Sequence, residues 1–267
     1  MCFAPDARPP ELPAGLMRAP IAGGAGAEVL ELTSGDGTRF SAAVAESPAA
    51  EPDAPAVAIL PDVRGLYPFY TELAERFAEA GHHAVVLDYF GRTAGLGPRD
   101  GDFEYMPHVQ ATTLEGVQGD LAAAIAALRE RVGDVPVVAV GFCFGGTMAY
   151  LAATNHGLGL AGVVAFYGGL NGARFGFPNP PDVVGDMRGP ILGLFGGADQ
   201  GIPGEAVDAF GAGLTAAGVE HEIVVYPGAP HSFFDRRQDE FADASADAWR
   251  RTLGFLGGRR QASATAV

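Results

Sequence analysis

The chain contains no lysine; all 17 of its basic residues are arginine. That absence removes several chemistries together. A pyridoxal-phosphate Schiff base, a Walker-type phosphate loop, a kinase site and the Ser-x-x-Lys hydrolases all need a lysine amine. Cysteine is scarce too. Cys2 and Cys143 are the only two, which is no disulfide framework and fits a reducing cytoplasm. No apolar run approaches the length of a membrane span. Met1–Asp6 carries neither the basic nor the apolar region of a secretory signal, so the expected location is cytoplasmic. Positive charge is in short supply: a net charge of −15 argues against nucleic acid and against anionic membrane surfaces as partners. His82 and His83 are adjacent but have no spaced partner, and no metal or organic cofactor is expected.

What is present suits a large α/β domain. The 267 residues are 48% hydrophobic and 18% charged, enough to bury a sizeable core. Residues 1–27 are rich in Pro, Gly and Ala without a period and read as an extended arm. Glu28–Thr33 and Arg39–Ala45 read as strands joined by a hairpin across Ser34-Gly35-Asp36-Gly37. Strands and helices then alternate. Strands are expected at Ala56–Leu60, Ala84–Leu87, Val135–Val140, Gly162–Phe166, Ile191–Phe195 and His221–Val225. Helices are expected at Phe69–Ala80, Leu114–Arg131, Met148–Thr154, Val207–Ala217 and Asp239–Leu256. Asp88–Pro107 reads as a long loop and residues 258–267 as a frayed tail. Short apolar strands alternating with helices predict one domain over 28–257, a mostly parallel sheet covered on both faces with an antiparallel edge.

The most informative segment is Gly141-Phe142-Cys143-Phe144-Gly145-Gly146-Thr147. It joins an apolar strand to a helix through a G-x-C-x-G turn, the nucleophile elbow with cysteine in place of serine. Small residues flank a nucleophile held at a strained turn, and the helix N-terminus beyond it favours thiolate. The plainer alternative is a buried cysteine in a Gly-rich loop. Two further positions weigh against that. Asp199 follows the strand Ile191–Phe195, and His231 lies in the Gly/Pro loop after the last strand. Nucleophile, acid and histidine thus occur in the chain order of a hydrolase triad, each just past a strand end. Asp199 could instead cap the helix after it. His108, His156 and His221 sit beside no motif.

These stretches resemble the dienelactone hydrolase (carboxymethylenebutenolidase) family. The resemblance is carried by Leu60–Gly65, Val86–Phe90, Gly116–Ala124, Val140–Gly146, Phe166–Gly168, Gly196–Asp199 and Gly228–Phe234. It implies an α/β-hydrolase fold without a large cap domain and hydrolysis of a small ester or enol lactone. In it, Cys143 would be the nucleophile, His231 the base and Asp199 its orienting acid. The backbone N–H groups of Phe144 and Val63 would form the oxyanion hole. Asp62 would stand where the family has a glutamate against the thiol, with Tyr167 beside the site. The family also holds a substrate carboxylate with arginines. One of those positions is Asp235 here, followed by Arg236 and Arg237; Arg64, Arg92 and Arg99 are candidates for the other. Arg64 is expected at the pocket mouth with Arg236 across from it, or else in a structural ion pair. The rival readings are a general carboxylesterase or thioesterase, a non-hydrolytic binding protein and a redox-sensing cysteine protein. A monomer or small homo-oligomer is expected.

Overall fold

A computed structural model describes residues 6–20, 26–101, 103–235 and 237–264, the last five of them as backbone only. Eight strands form one sheet: β1 (Glu28–Thr33), β2 (Arg39–Ala45), β3 (Ala56–Leu60), β4 (Ala84–Leu87), β5 (Val137–Phe142), β6 (Leu160–Phe166), β7 (Ile191–Gly196) and β8 (His221–Tyr226). Their order is β1-β2-β4-β3-β5-β6-β7-β8. β1 and β2 pair antiparallel, as do β2 and β4, and the rest is parallel. The central strands β3, β4 and β5 are buried along their whole length, which is why they read as unbroken apolar runs. β1 and β8 sit at the edges and keep partly exposed residues.

Helices cover both faces. α1 (Pro68–Glu79) opens on a proline, where the missing N–H costs nothing, and buries Phe69, Tyr70, Leu73 and Phe77. Its Phe77 ring meets Trp249 of α7 (Ala242–Ala264) at 5.0 Å, so these two helices share a face. α4 (Leu114–Val132), capped by the Thr113 hydroxyl on the Gly116 N–H, packs with α5 (Phe144–Ala152) on the sheet. α6 (Gly204–Ala216) lies on β8. The described part of the N-terminal arm is tied to the α1–α7 layer. The Trp249 indole donates to Pro10 O at 3.1 Å, and the Arg18 N–H donates to Glu79 O at 2.8 Å.

The elbow strand runs two residues further than expected, Val137–Phe142, and its helix starts at Phe144 rather than Met148, so the turn is tighter than the sequence suggests. Two other segments differ more. The stretch after β4 is not all loop: it holds α2 (Gly91–Ala94) and α3 (Tyr105–Ala111). Pro107 does not prevent α3 because it falls in the first turn, where backbone N–H groups have no intrahelical acceptor. Of the expected tail, residues 258–264 are helical, since α7 continues to Ala264, and 265–267 lie outside the described residues. Arg259 helps hold it, pairing with Glu220 at 3.2 Å and lying over the Phe255 ring. Among the described residues no helix is long and apolar enough to cross a membrane.

The chain passes from β3 to β4 on one side, then to β5 on the other. The crevice between the ends of β3 and β5 is therefore a topological switch point, where open α/β sheets gather ligands.

Candidate active site

Cys143 stands at that switch point. β5 ends at Phe142 and α5 begins at Phe144, leaving one residue to reverse the chain. Cys143 takes φ 53° and ψ −111°, a conformation most side chains avoid. The turn is compact. A Cβ on Gly141 would lie 2.1 Å from Gly145 O, and one on Gly145 would lie 2.0 Å from Leu60 O at the end of β3. The cysteine is half-buried. Its N–H donates to Phe166 O at 3.0 Å, and its carbonyl accepts from the Thr147 N–H.

The neighbouring strand ends supply the other groups. Tyr167 follows β6, Asp199 follows β7 and His231 follows β8, so four adjacent strands deliver four site residues to one edge. Asp199 Oδ2 lies 2.6 Å from His231 Nδ1, and Asp199 Oδ1 accepts from the Gly201 N–H at 2.8 Å. The carboxylate thus orients the imidazole and braces its own turn. It does not cap α6, whose N-cap is Pro203. The two loops are stitched by Ala198 N–H to Ala229 O at 2.9 Å and Gly197 N–H to Tyr226 O at 2.8 Å. Among the described residues, three non-glycine positions have positive φ: Cys143, Tyr167 and Ser232. All three lie at this edge, where backbone strain commonly marks function.

Val63 follows β3 and Phe144 opens α5. The first N–H groups of a helix have no acceptor within it, and the Phe144 amide is the first of α5. Tyr167 is buried, and its ring centre lies 4.9 Å from that of His231. Burial first, and then Asp235, Asp62 and Cys143, push its phenol well above the usual range. Tyr89, at the end of β4, donates to Pro61 O at 2.5 Å and is raised by burial, Asp62, Asp88 and Cys143. Asp62 and Cys143 therefore act on the same two rings. Tyr89 and Tyr70 were not singled out from the sequence; the position of Tyr89 just past a strand end was the available signal.

The arginines differ most from expectation. Arg64 is not at a pocket mouth. It is 2% exposed and forks onto Asp62 through Nε (3.0 Å to each oxygen) and a terminal nitrogen (2.8 Å). The same terminal nitrogen donates to Asp235, also buried. The guanidinium stacks over Tyr67, with its carbon 4.8 Å from the ring centre, and beside Phe69 and Tyr70. Burial alone would depress Arg64; Tyr70, Asp62 and Asp235 outweigh it and raise it, so it stays charged. Asp62 faces this arginine with both oxygens. Arg92 pairs with Asp36 and Asp120, Arg99 with buried Asp88, and Arg237 with Glu240. Arg236 lies outside the described residues. Among the described residues no group of three or more His, Cys, Asp or Glu could hold a metal ion.

Known proteins resemble this chain over most of its length. The model of the Dienelactone hydrolase family matches residues 40–259. A candidate carboxymethylenebutenolidase of Methylorubrum extorquens is 31% identical over 210 residues, 74% of this chain and 69% of that one. One of Escherichia coli K12 is 32% identical over 215 residues, 76% of each chain. The crystal structure of a candidate dienelactone hydrolase from Klebsiella pneumoniae superposes with a TM-score of 0.73 at 27% identity, covering 86% of this chain and 99% of that one.

Proposed function

The chain belongs to the dienelactone hydrolase family of carboxylic ester hydrolases, and from that premise we propose that it cleaves a small ester or enol lactone through Cys143, His231 and Asp199. The observation that carries this reading is the 2.6 Å contact of His231 Nδ1 with Asp199, on strand-end loops beside the cysteine elbow. With Nδ1–H donated to Asp199, the imidazole keeps Nε2 free to take the thiol proton. The Cys143 thiolate attacks the carbonyl carbon. The tetrahedral oxyanion lies between the Val63 and Phe144 N–H groups, each such donor contributing about 3–4 kcal/mol in comparable sites. Collapse breaks the C–O bond, leaves a thioester on Cys143 and releases an alcohol or enolate, which takes the proton from His231. His231 then removes a proton from water, whose oxygen attacks the thioester and restores the thiol. Side chains and backbone amides supply every step.

One observation favours the wider esterase reading of the substrate. Of the arginines expected to hold a substrate carboxylate, Arg64, Arg92 and Arg99 each face a carboxylate of the protein itself, and Arg236 lies outside the described residues. A neutral ester fits this site with less rearrangement than a carboxylated lactone. The scarcity of cysteine supports a cytoplasmic location.

The test is turnover of p-nitrophenyl acetate beside cis- and trans-dienelactone, in the wild type and in Cys143 variants. Cys143→Ala is expected to lose turnover at least about a thousandfold with its fold intact. Cys143→Ser is expected to be poor, because a hydroxyl is far less acidic than a thiol. Appreciable activity in Cys143→Ala would sink the reading.

A further inference from the structure

The buried group Asp62–Arg64–Asp235 joins two loops that the proposed chemistry needs in register. Asp62-Val63-Arg64 follows β3 and carries one proposed oxyanion donor. His231–Asp235 follows β8 and carries the proposed base. The contact from Arg64 to Asp235 spans 171 residues of chain. Within the first loop, the Arg64 N–H donates to Asp62 Oδ1 at 2.9 Å while its side chain forks onto the same carboxylate. Val63 is therefore held from both sides by one ring of contacts. Gly65 closes the turn at φ 71°, its N–H on Asp62 O. In the second loop the Asp235 N–H donates to Ser232 O at 3.1 Å, across the strained Ser232. Three aromatic rings pack about the guanidinium.

A buried ion cluster of this kind is a poor way to gain stability, since apolar residues of similar volume often do as well. What it provides is direction. A planar guanidinium with forked contacts has one geometry, and both loops inherit it.

We propose that Arg64 and Asp235 are positioning residues, which set the Val63 amide relative to Cys143 and His231 by clamping the β3 loop to the β8 loop. The proposal rests on the hydrolase reading above. It predicts a specific kinetic signature. Ester cleavage needs an oxyanion hole, whereas alkylation of a thiolate by iodoacetamide is displacement at a saturated carbon and needs none. Disturbing the clamp should therefore separate the two reactions.

The experiment compares Arg64→Lys, which keeps the charge and loses the fork, with Asp235→Asn, which keeps the volume and an acceptor oxygen. Folding is checked by circular dichroism and melting. In both, kcat for p-nitrophenyl acetate is expected to fall on the order of ten- to a hundredfold, the scale of a small misplacement. KM should change far less, and the rate of Cys143 alkylation should stay at or above that of the wild type. A folded variant with kcat within about twofold of wild type overturns the proposal, as does alkylation that falls in step with kcat. If Arg64→Lys melts below the assay temperature, Asp235→Asn decides alone by the same two outcomes. Cys143→Ala in the same assay separates the two claims. If it keeps turnover, the hydrolase reading has failed; if turnover needs Cys143 and ignores the clamp, only the positioning role has.

Discussion

Asp62 has two demands on one carboxylate. Both oxygens meet Arg64, yet its charge is felt by the two tyrosines that also feel Cys143. A negative charge near a thiol disfavours thiolate. Asp62→Asn is therefore expected to lower the Cys143 pKa and to speed its alkylation at neutral pH, by about two- to tenfold. Stopped-flow measurement with iodoacetamide reads this directly, and an unchanged or slower rate would take Asp62 out of the thiol's electrostatic surroundings. Residues of this site were unequally legible. The placement of Cys143, Asp199 and His231 at one edge of the sheet could be read because each is announced by its own neighbours: small residues at an elbow, an acid just past an apolar strand, a histidine in a Gly/Pro loop. Arg64 could not be placed the same way. Nothing around Asp235 says that it closes on an arginine far back in the chain, so the choice between a pocket-mouth cation and an ion pair needed the fold. Arg92 and Arg99 were opaque for the same reason, their partners being chosen by tertiary packing.

The elbow shows how much an element can depend on what it lacks. A Cβ on Gly145 would meet Leu60 O at 2.0 Å and Pro61 O at 2.2 Å, both backbone atoms at the end of β3. Gly145→Ala must push α5 away from β3 and so move Cys143 away from Val63. We expect it to destabilise the protein by at least the about 1–3 kcal/mol of an overpacked core, and to lose turnover with it. Gly254→Ala is the matched control. Gly254 lies in α7 with open space around its Cβ position, and alanine there should stabilise by roughly 0.5–1 kcal/mol. Thermal melts of the two should move in opposite directions; equal shifts would mean that the elbow tolerates the methyl. At this scale the sequence was legible wherever burial imposed a pattern. The central strands β3, β4 and β5 lie within two residues of their apolar runs, because a strand buried on both faces has little alternative composition. The segments after β4 and beyond Leu256 were misjudged because polar and glycine-rich composition is a weak guide. Pro107 was harmless in a first turn, and Gly257 and Gly258 sit in a helix held by contacts of Arg259 that local composition does not encode.

At the scale of the molecule the dominant fact is charge. A chain with 17 basic and 32 acidic residues repels an anion before contact, and its field reaches as far as salt allows. The Debye length shrinks from about 30 Å at 0.01 M to about 8 Å at 0.15 M ionic strength. Local arginine could reverse the sign near the site, but the described candidates answer to internal carboxylates. The rate of encounter should therefore follow the net charge. For a carboxylated ester, kcat/KM is expected to rise with added salt, roughly two- to fivefold between 10 and 200 mM, as repulsion is screened. For a neutral ester of the same size it should stay nearly flat, which controls for salt effects on the enzyme itself. The opposite slope, with the anion losing kcat/KM as salt is added, would mean that a cation at the entrance overrides the global field. Arg174 is the residue such a result would point to. It is exposed and lies over the Phe175 ring at 4.6 Å, and Phe175 meets Phe144, next to Cys143, edge-on at 5.7 Å. Repeating the titration with Arg174→Gln would then decide between them: a slope restored to positive assigns the entrance cation to Arg174, and an unchanged slope places it elsewhere.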